Sequence, residues 1–191
     1  MLQTDSIINT LQNHFLVATT SLNDSIFERT VIYMCTHDEN GAMGVIVNRP
    51  LNSVSFTDIA DSMGVKPLID KKPPTIFNGG PVDKNRGFVV HSPDYKLKNS
   101  LNVGQDISLS ATADIVKDIA VGQGPQDMAF CLGYAGWSAG QLEQEIVENS
   151  WLVLQADADT LFHVEPQEKY DYCTRRIGLN ALNFSDTIGL A

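Results

Sequence analysis

Gly136-Trp137-Ser138-Ala139-Gly140 fits the G-x-S-x-G pattern of a serine carried on a sharp turn between a strand and a helix. Acyl-transfer chemistry uses such a turn to lift the hydroxyl toward a general base. Asp157, Asp159 and His163 follow in the chain order that hydrolases of this kind show. A structural explanation covers the same residues. Ser138 with Gln141 three residues later reads as a capping box that satisfies backbone donors at a helix start. The flanking glycines let the chain turn tightly beside a large indole. A chain of 191 residues is also short for an α/β-hydrolase, and its first half lacks alternating βαβ units. The cap is the expectation, and a hydrolase using Ser138 is the weaker alternative.

Cys35-Thr36-His37 brings two metal-ligating residue types together, with His91 and His163 as further candidates. Structural zinc sites carry two ligand pairs at short spacing, and only one is present here. No metal is expected. Gly79-Gly80-Pro81 offers backbone N–H groups for an anion, with Arg86 nearby. It lacks G-x-G-x-x-G and a Walker lysine, and it leads toward a strand rather than a helix, so a structural turn is favoured and no cofactor is expected.

Charge narrows the field further. The chain carries 13 Lys and Arg against 23 Asp and Glu, a net of −10. Nucleic-acid binding rests on neutralising phosphates with Lys and Arg, and the basic pairs Lys71-Lys72 and Arg175-Arg176 are too short for a basic stripe. Direct DNA binding is disfavoured. Cys35, Cys131 and Cys173 are odd in number and far apart, which fits small buried residues rather than disulfides. The start Met1-Leu2-Gln3-Thr4-Asp5 has no basic or long apolar stretch, and no window matches a membrane span. A cytoplasmic location is expected.

These residues must be positioned by the elements around them, and the whole chain reads as one domain over 1–191. Ile7, Ile8 and Leu11 fit a short N-terminal helix, and Phe15 to Ala18 a strand. Thr30 to Thr36 and Ala42 to Val47 flank an Asn40-Gly41 step and predict a hairpin. Ser55 caps a helix that carries Phe56, Ile59, Ala60 and Met63 and ends at Gly64. Pro67 to Pro74 reads as a loop. Strands are expected at Thr75 to Phe77 and Gly87 to His91, around the turn Asn78 to Pro81. Ile107 to Leu109 is another strand, before a helix capped by Ser110 and ended by Gly122. Met128 to Leu132 reads as a strand leading into a glycine-rich loop. A helix over Ala139 to Asn149, a strand over Trp151 to Leu154 and a helix near Tyr170 to Ile177 complete the reading. Hairpins mixed with single helices give an α+β class with mostly antiparallel pairing.

Several of these segments together resemble one family. They are His14 to Ala18; Phe27 with Arg29-Thr30-Val31; Asn40 to Pro50; Gly79-Gly80-Pro81-Val82 with Arg86-Gly87-Phe88; and Leu132 to Trp137 with Gly140 to Glu145. In order and spacing they are similar to the bacterial AlgH/YqgE family, from about His14 to Leu154. Where the family carries Arg-Trp, this chain has Lys169-Tyr170. The resemblance implies antiparallel strands curled into a barrel-like sheet with helices packed outside. It brings the label "transcriptional regulator" but no established reaction, cofactor or catalytic residue. The family leaves the Ser138 position open to other residues, which a nucleophile would not permit. The expected function is that of a regulatory or interaction protein acting through a protein partner or small ligand. A DNA-binding regulator and a Ser138 hydrolase are the alternatives, and the oligomeric state is left open. The motif loops nominate one binding site: Asn48 and Arg49, Gly79 and Gly80, Arg86, and Tyr134 with Trp137. Asn and Arg supply donors, glycines admit close backbone approach, and aromatics form flat walls. The competing reading makes them turn and packing residues.

Overall fold

A computed structural model describes residues 10–68 and 72–188. The expected helix over Ile7 and Ile8, and part of the loop between Pro67 and Pro74, lie outside the described residues.

The strand-forming runs are apolar at consecutive positions, a pattern that means burial on both faces. Phe15, Leu16 and Val17 in β1 (His14–Ala18) are fully buried, as are Val31 through Cys35 in β2 (Val31–Asp38). β2 turns through Glu39 and Asn40 into β3 (Gly41–Ile46), with Asp38 paired to Gly41. The hairpin stands where expected, but its glycine serves another purpose. Asn40 is not at positive φ, whereas Gly41 has φ 141°, and a Cβ there would lie 2.3 Å from the Trp137 carbonyl oxygen. The bare Cα is needed for approach to a neighbouring strand rather than for the turn.

α1 (Phe56–Ser62) starts with the expected cap. Ser55 Oγ accepts from Asp58 N, and the Asp58 carboxylate accepts from Ser55 N. Next come β4 (Ile76–Asn78), β5 (Val82–His91), β6 (Leu101–Asn102), β7 (Ser108–Ser110) and α2 (Ala113–Ala120). Ser110 does not cap α2. It is the last residue of β7, its hydroxyl 3.0 Å from His91 Nε2, and Thr112 takes the N-cap position.

β8 (Met128–Ser138), 11 residues long, organises the sheet. The glycine-rich segment after Leu132 was expected to be a loop; it is strand, interrupted by Gly133 at φ 76°. Residues 130–132 lie between parallel β4 and antiparallel β5, and residues 135–138 pair with β3. β9 (Trp151–Gln155) pairs with β1, which gives the order β6-β7-β5-β8-β3-β2-β1-β9 with β4 beside β8. α3 (Gln141–Val147) precedes β9, and α4 (Ala158–Phe162) and α5 (Pro166–Ile188) follow it.

A sheet buried on both faces needs partners on both. α3 covers Leu16, Ile32, Trp137 and Trp151 on one outer region through Leu142. α1 and α2 cover Ile76, Val89 and Phe130 on the other, through Phe56, Ala60, Ile115 and Val116. The inner cluster holds Phe15, Tyr33, Val45, Val90 and Cys131, and Leu161 of α4 and Cys173 of α5 join it. Each large apolar side chain so buried contributes about 1.5–3 kcal/mol. The architecture is the expected α+β curled, largely antiparallel sheet with helices outside, plus a C-terminal helix pair that closes the inner cluster. Among the described residues no helix is long and apolar enough to cross a membrane.

Candidate functional site

The sheet opens where β5 leaves β8. Val82 pairs with Tyr134 and Gly87 with Leu132, so four residues of β5, 83–86, stand opposite Gly133 alone. β8 continues past Tyr134 paired only with β3. The divergence leaves an open groove of about 670 Å³ between the β2–β3 hairpin and the start of β5. That volume falls in the ~300–1,000 Å³ range of small-molecule sites. Phe88 and Tyr134 form an edge-to-face pair there, with ring centroids 5.5 Å apart, and the Arg86 guanidinium lies 5.2 Å from the Phe88 ring. Met43 adds an apolar side chain, and Thr36 and Asp38 add polar ones. A Cβ at Gly136 would meet the Tyr134 ring at 3.1 Å, so the absence of a side chain there keeps the aromatic surface clear.

Three of the seven nominated residues, Arg86, Tyr134 and Trp137, therefore line one groove. Trp137 does so from a strand whose indole packs on the opposite face, in the cluster under α3. Its Nε1 and that of Trp151 both donate to Glu145 Oε2, each at 2.8 Å. Arg49 and Gly80 line a separate cleft of about 140 Å³. Arg49 donates to the carbonyls of Ile26 and, at 2.6 Å, Glu28, which ties down the loop before β2. Asn48 is likewise engaged with main chain: Oδ1 accepts from Val31 N at 2.8 Å and Nδ2 donates to Arg29 O at 2.9 Å. Gly79 donates to Leu132 O at 2.8 Å and accepts from Ile46 N at 2.9 Å, bridging β8 and β3. Cβ atoms at Gly79 and Gly80 would lie 2.3 Å from Gly133 O and 2.2 Å from Tyr134 C. The N–H of Gly79 is thus spent on the sheet rather than held out for an anion.

Ser138 is not an elbow. It ends β8 and α3 starts two residues beyond the expected Ala139, with Gly140 at φ 74° in the N-cap position. Half of the expected capping box forms: Gln141 Oε1 accepts from Ser138 N at 3.0 Å, while Ser138 Oγ donates to the same oxygen instead of capping the helix. The downstream candidates lie elsewhere. Asp157 caps α4 by accepting from Thr160 N and pairs with Arg176, whose guanidinium and the Thr160 donors hold its carboxyl below the usual range against a burial effect that raises it. His163 contacts Asp127 at 3.1 Å and Asp159 at 3.2 Å, and hydrogen bonds to these carboxylates raise its pKa.

The histidines and cysteines once grouped as ligand candidates are dispersed. Cys35 is buried in the inner cluster. His37 Nδ1 accepts from Leu11 N at 2.9 Å, which places the ring proton on Nε2, 2.8 Å from Glu143 Oε1. His91 is buried with Nδ1 2.8 Å from Ser92 O, and burial lowers its pKa. Among the described residues no three His, Cys, Asp or Glu side chains are grouped to hold a metal.

Comparison with known proteins agrees with this architecture. The family model described as AlgH-like matches residues 15–182. The chain belongs to the AlgH-like family. A UPF0301 protein of Marinomonas sp. is 44% identical over 188 residues, covering 97% of this chain and 98% of that one. A UPF0301 protein of Chelativorans sp. is 42% identical, with 95% and 93% covered. The solution structure of the AlgH protein from Pseudomonas aeruginosa superposes with a TM-score of 0.75 at 36% identity, over 96% of this chain and 97% of that one. A crystal structure of protein DIP2367 from Corynebacterium diphtheriae, 21% identical with a TM-score of 0.69 over 86% and 85%, shares the fold.

One further feature of this AlgH-like chain was missed by sequence reasoning. Lys169 of α5 is 2% exposed, and its Nζ donates to Leu161 O at 2.6 Å. Burial lowers its pKa from 10.5 to about 8. Cys131 and Cys173 lie close enough to feel its charge, and burial raises these thiols to about 12 and about 11. Lys169 and Leu161 line a polar cavity of about 200 Å³, with His163 and Glu165 on its exposed side. The signal was present in the spacing: Lys169, Cys173 and Ile177 recur every four residues, which puts a lysine on the buried stripe of α5. Tyr170, beside it, donates its hydroxyl to Ala18 O at 2.7 Å beneath the Arg29 guanidinium.

Proposed function

We propose that this AlgH-like protein is a non-catalytic binding protein, which senses a small anionic ligand with a flat apolar part in the groove between β5 and β8 and acts through it as a regulator. The observation that supports this reading is the state of Arg86. Arg29 and Arg176 are paired with Asp171 and Asp157, and Arg49 is bound to carbonyls. Among the described residues Arg86, like the exposed Arg175, has neither an ion pair nor a hydrogen bond, and Arg86 stands over the Phe88 ring of the Phe88–Tyr134 pair at the groove. A guanidinium over an aromatic surface fits a planar ligand ending in a carboxylate or phosphate.

NMR titration of the whole chain with aromatic carboxylates and nucleoside monophosphates tests this. Saturable shifts are expected at Arg86, Phe88, Tyr134 and Gly136. Arg86→Ala should weaken binding roughly ten- to a hundred-fold, the equivalent of one charge-assisted hydrogen bond. Shifts that map away from the groove, or binding indifferent to Arg86→Ala, would remove the proposal.

A further inference from the structure

A buried ammonium normally has a carboxylate or a full set of acceptors, because an uncompensated charge in the interior is costly. Among the described residues Lys169 makes no ion-pair contact: one of its three protons goes to Leu161 O, and Glu165 acts on it only as a nearby charge. Two thiols that burial keeps protonated stand near it, and the remaining side is the polar cavity of about 200 Å³. That space equals about six or seven water molecules, room for a compound of a few heavy atoms. Glu165 lines the same cavity and is exposed at its mouth.

We propose that Lys169 is a reactive amine that forms an imine with a small carbonyl compound, a short aldehyde or 2-oxo acid, admitted through this cavity. The Nζ lone pair attacks the carbonyl carbon, a C–N bond forms, and the C=O π pair moves to oxygen. The nitrogen gives up two protons and the oxygen takes up two, leaving as water as the C=N bond forms. No oxidant or reductant is needed. Glu165 is the carboxylate on this cavity that carries protons between nitrogen and oxygen, and burial raises the minor fraction of neutral amine present near neutral pH. This site is separate from the groove and does not depend on the ligand assigned there.

Glyoxylate is the probe, with cyanoborohydride to trap the imine on the native full-length chain, followed by peptide mapping. Lys169 should be labelled at least tenfold faster than exposed lysines such as Lys66 and Lys96, with a rate that rises with pH and levels off above about 8. Lys169→Arg should remove the fast adduct. The map of the native chain decides the matter even if that variant fails to fold. Lys169 unlabelled, or labelled no faster than the exposed lysines, overturns the proposal.

Discussion

Replacing Lys169 by Met removes the buried charge while nearly keeping the volume, and the structure fixes how the outcome must vary with pH. Two effects oppose each other at neutral pH. The ammonium is held with its pKa near 8 rather than 10.5, a difference worth about 3 kcal/mol at roughly 1.4 kcal/mol per unit. Its loss also leaves the Leu161 carbonyl without that donor, at a cost of about 1–3 kcal/mol. Lys169→Met should therefore be neutral to about 2 kcal/mol stabilising at pH 7. Above the folded pKa the sign of the trend is set. Below about 8 folded and unfolded chains both carry the proton, so the penalty in the parent chain is constant. Between about 8 and 10.5 the unfolded chain holds a proton that the folded chain lacks, so parent stability rises with pH through this group. The advantage of the variant should then shrink by about 2 kcal/mol from pH 7 to pH 9.5. Cys131 and Cys173, at about 12 and about 11, stay protonated in the fold over that range and largely cancel in the comparison. Urea denaturation of both chains in parallel at several pH values measures the difference. A variant at least 2 kcal/mol less stable at every pH, with a flat difference, would refute the reasoning and make Lys169 an ordinary structural cation.

Two other substitutions probe the strand that frames the groove. Gly133→Ala puts a side chain at φ 76° with its Cβ 2.6 Å from Gly80 O, so a loss of about 2–4 kcal/mol is expected in the same denaturation assay. Glu145→Ala orphans the N–H groups of Trp137 and Trp151, whose rings meet edge to face at 6.0 Å; about 2–4 kcal/mol should be lost, with a change in tryptophan fluorescence of the folded state.

How much of this was legible depends on the range of each signal. Local signals read well: the Ser55 cap, the hairpin from Val31 and the strands β1 and β2 all lie within a few residues of their cause. The misreadings share another origin. In the sequence Gly41 and Gly79-Gly80 read as turn residues and Gly133 as part of a loop, because sequence presents glycine as local freedom. In the structure the demand at Gly41, Gly79 and Gly80 is long-range: each presses on the main chain of β8, a strand far away in sequence. No periodicity could show that. The same reason divides the seven nominated residues. All seven are nominated from the motif loops; Asn48, Arg49 and Gly79 make main-chain hydrogen bonds, and only Arg86, Tyr134 and Trp137, which lie on the diverging strands β5 and β8, reach the groove.

A related point concerns where chemistry can reside in this fold. The most recognisable segments of the sequence are those that let β8 lie close to its neighbours, so motif density marks the scaffold. Reactive potential follows a different rule, which is polar capacity left over after folding. Ser138, His37, His91 and Asp157 each have side-chain hydrogen-bond partners within the fold. Arg86 and Lys169 keep such capacity, one over an aromatic pair and one against a polar cavity. Neither belongs to a catalytic motif. Arg86 stands out because β5 bulges away from β8 beside it, and Lys169 because it occupies an apolar stripe. In both cases a departure from regular pairing or patterning, rather than a sequence motif, singles out the group on which the proposed chemistry rests.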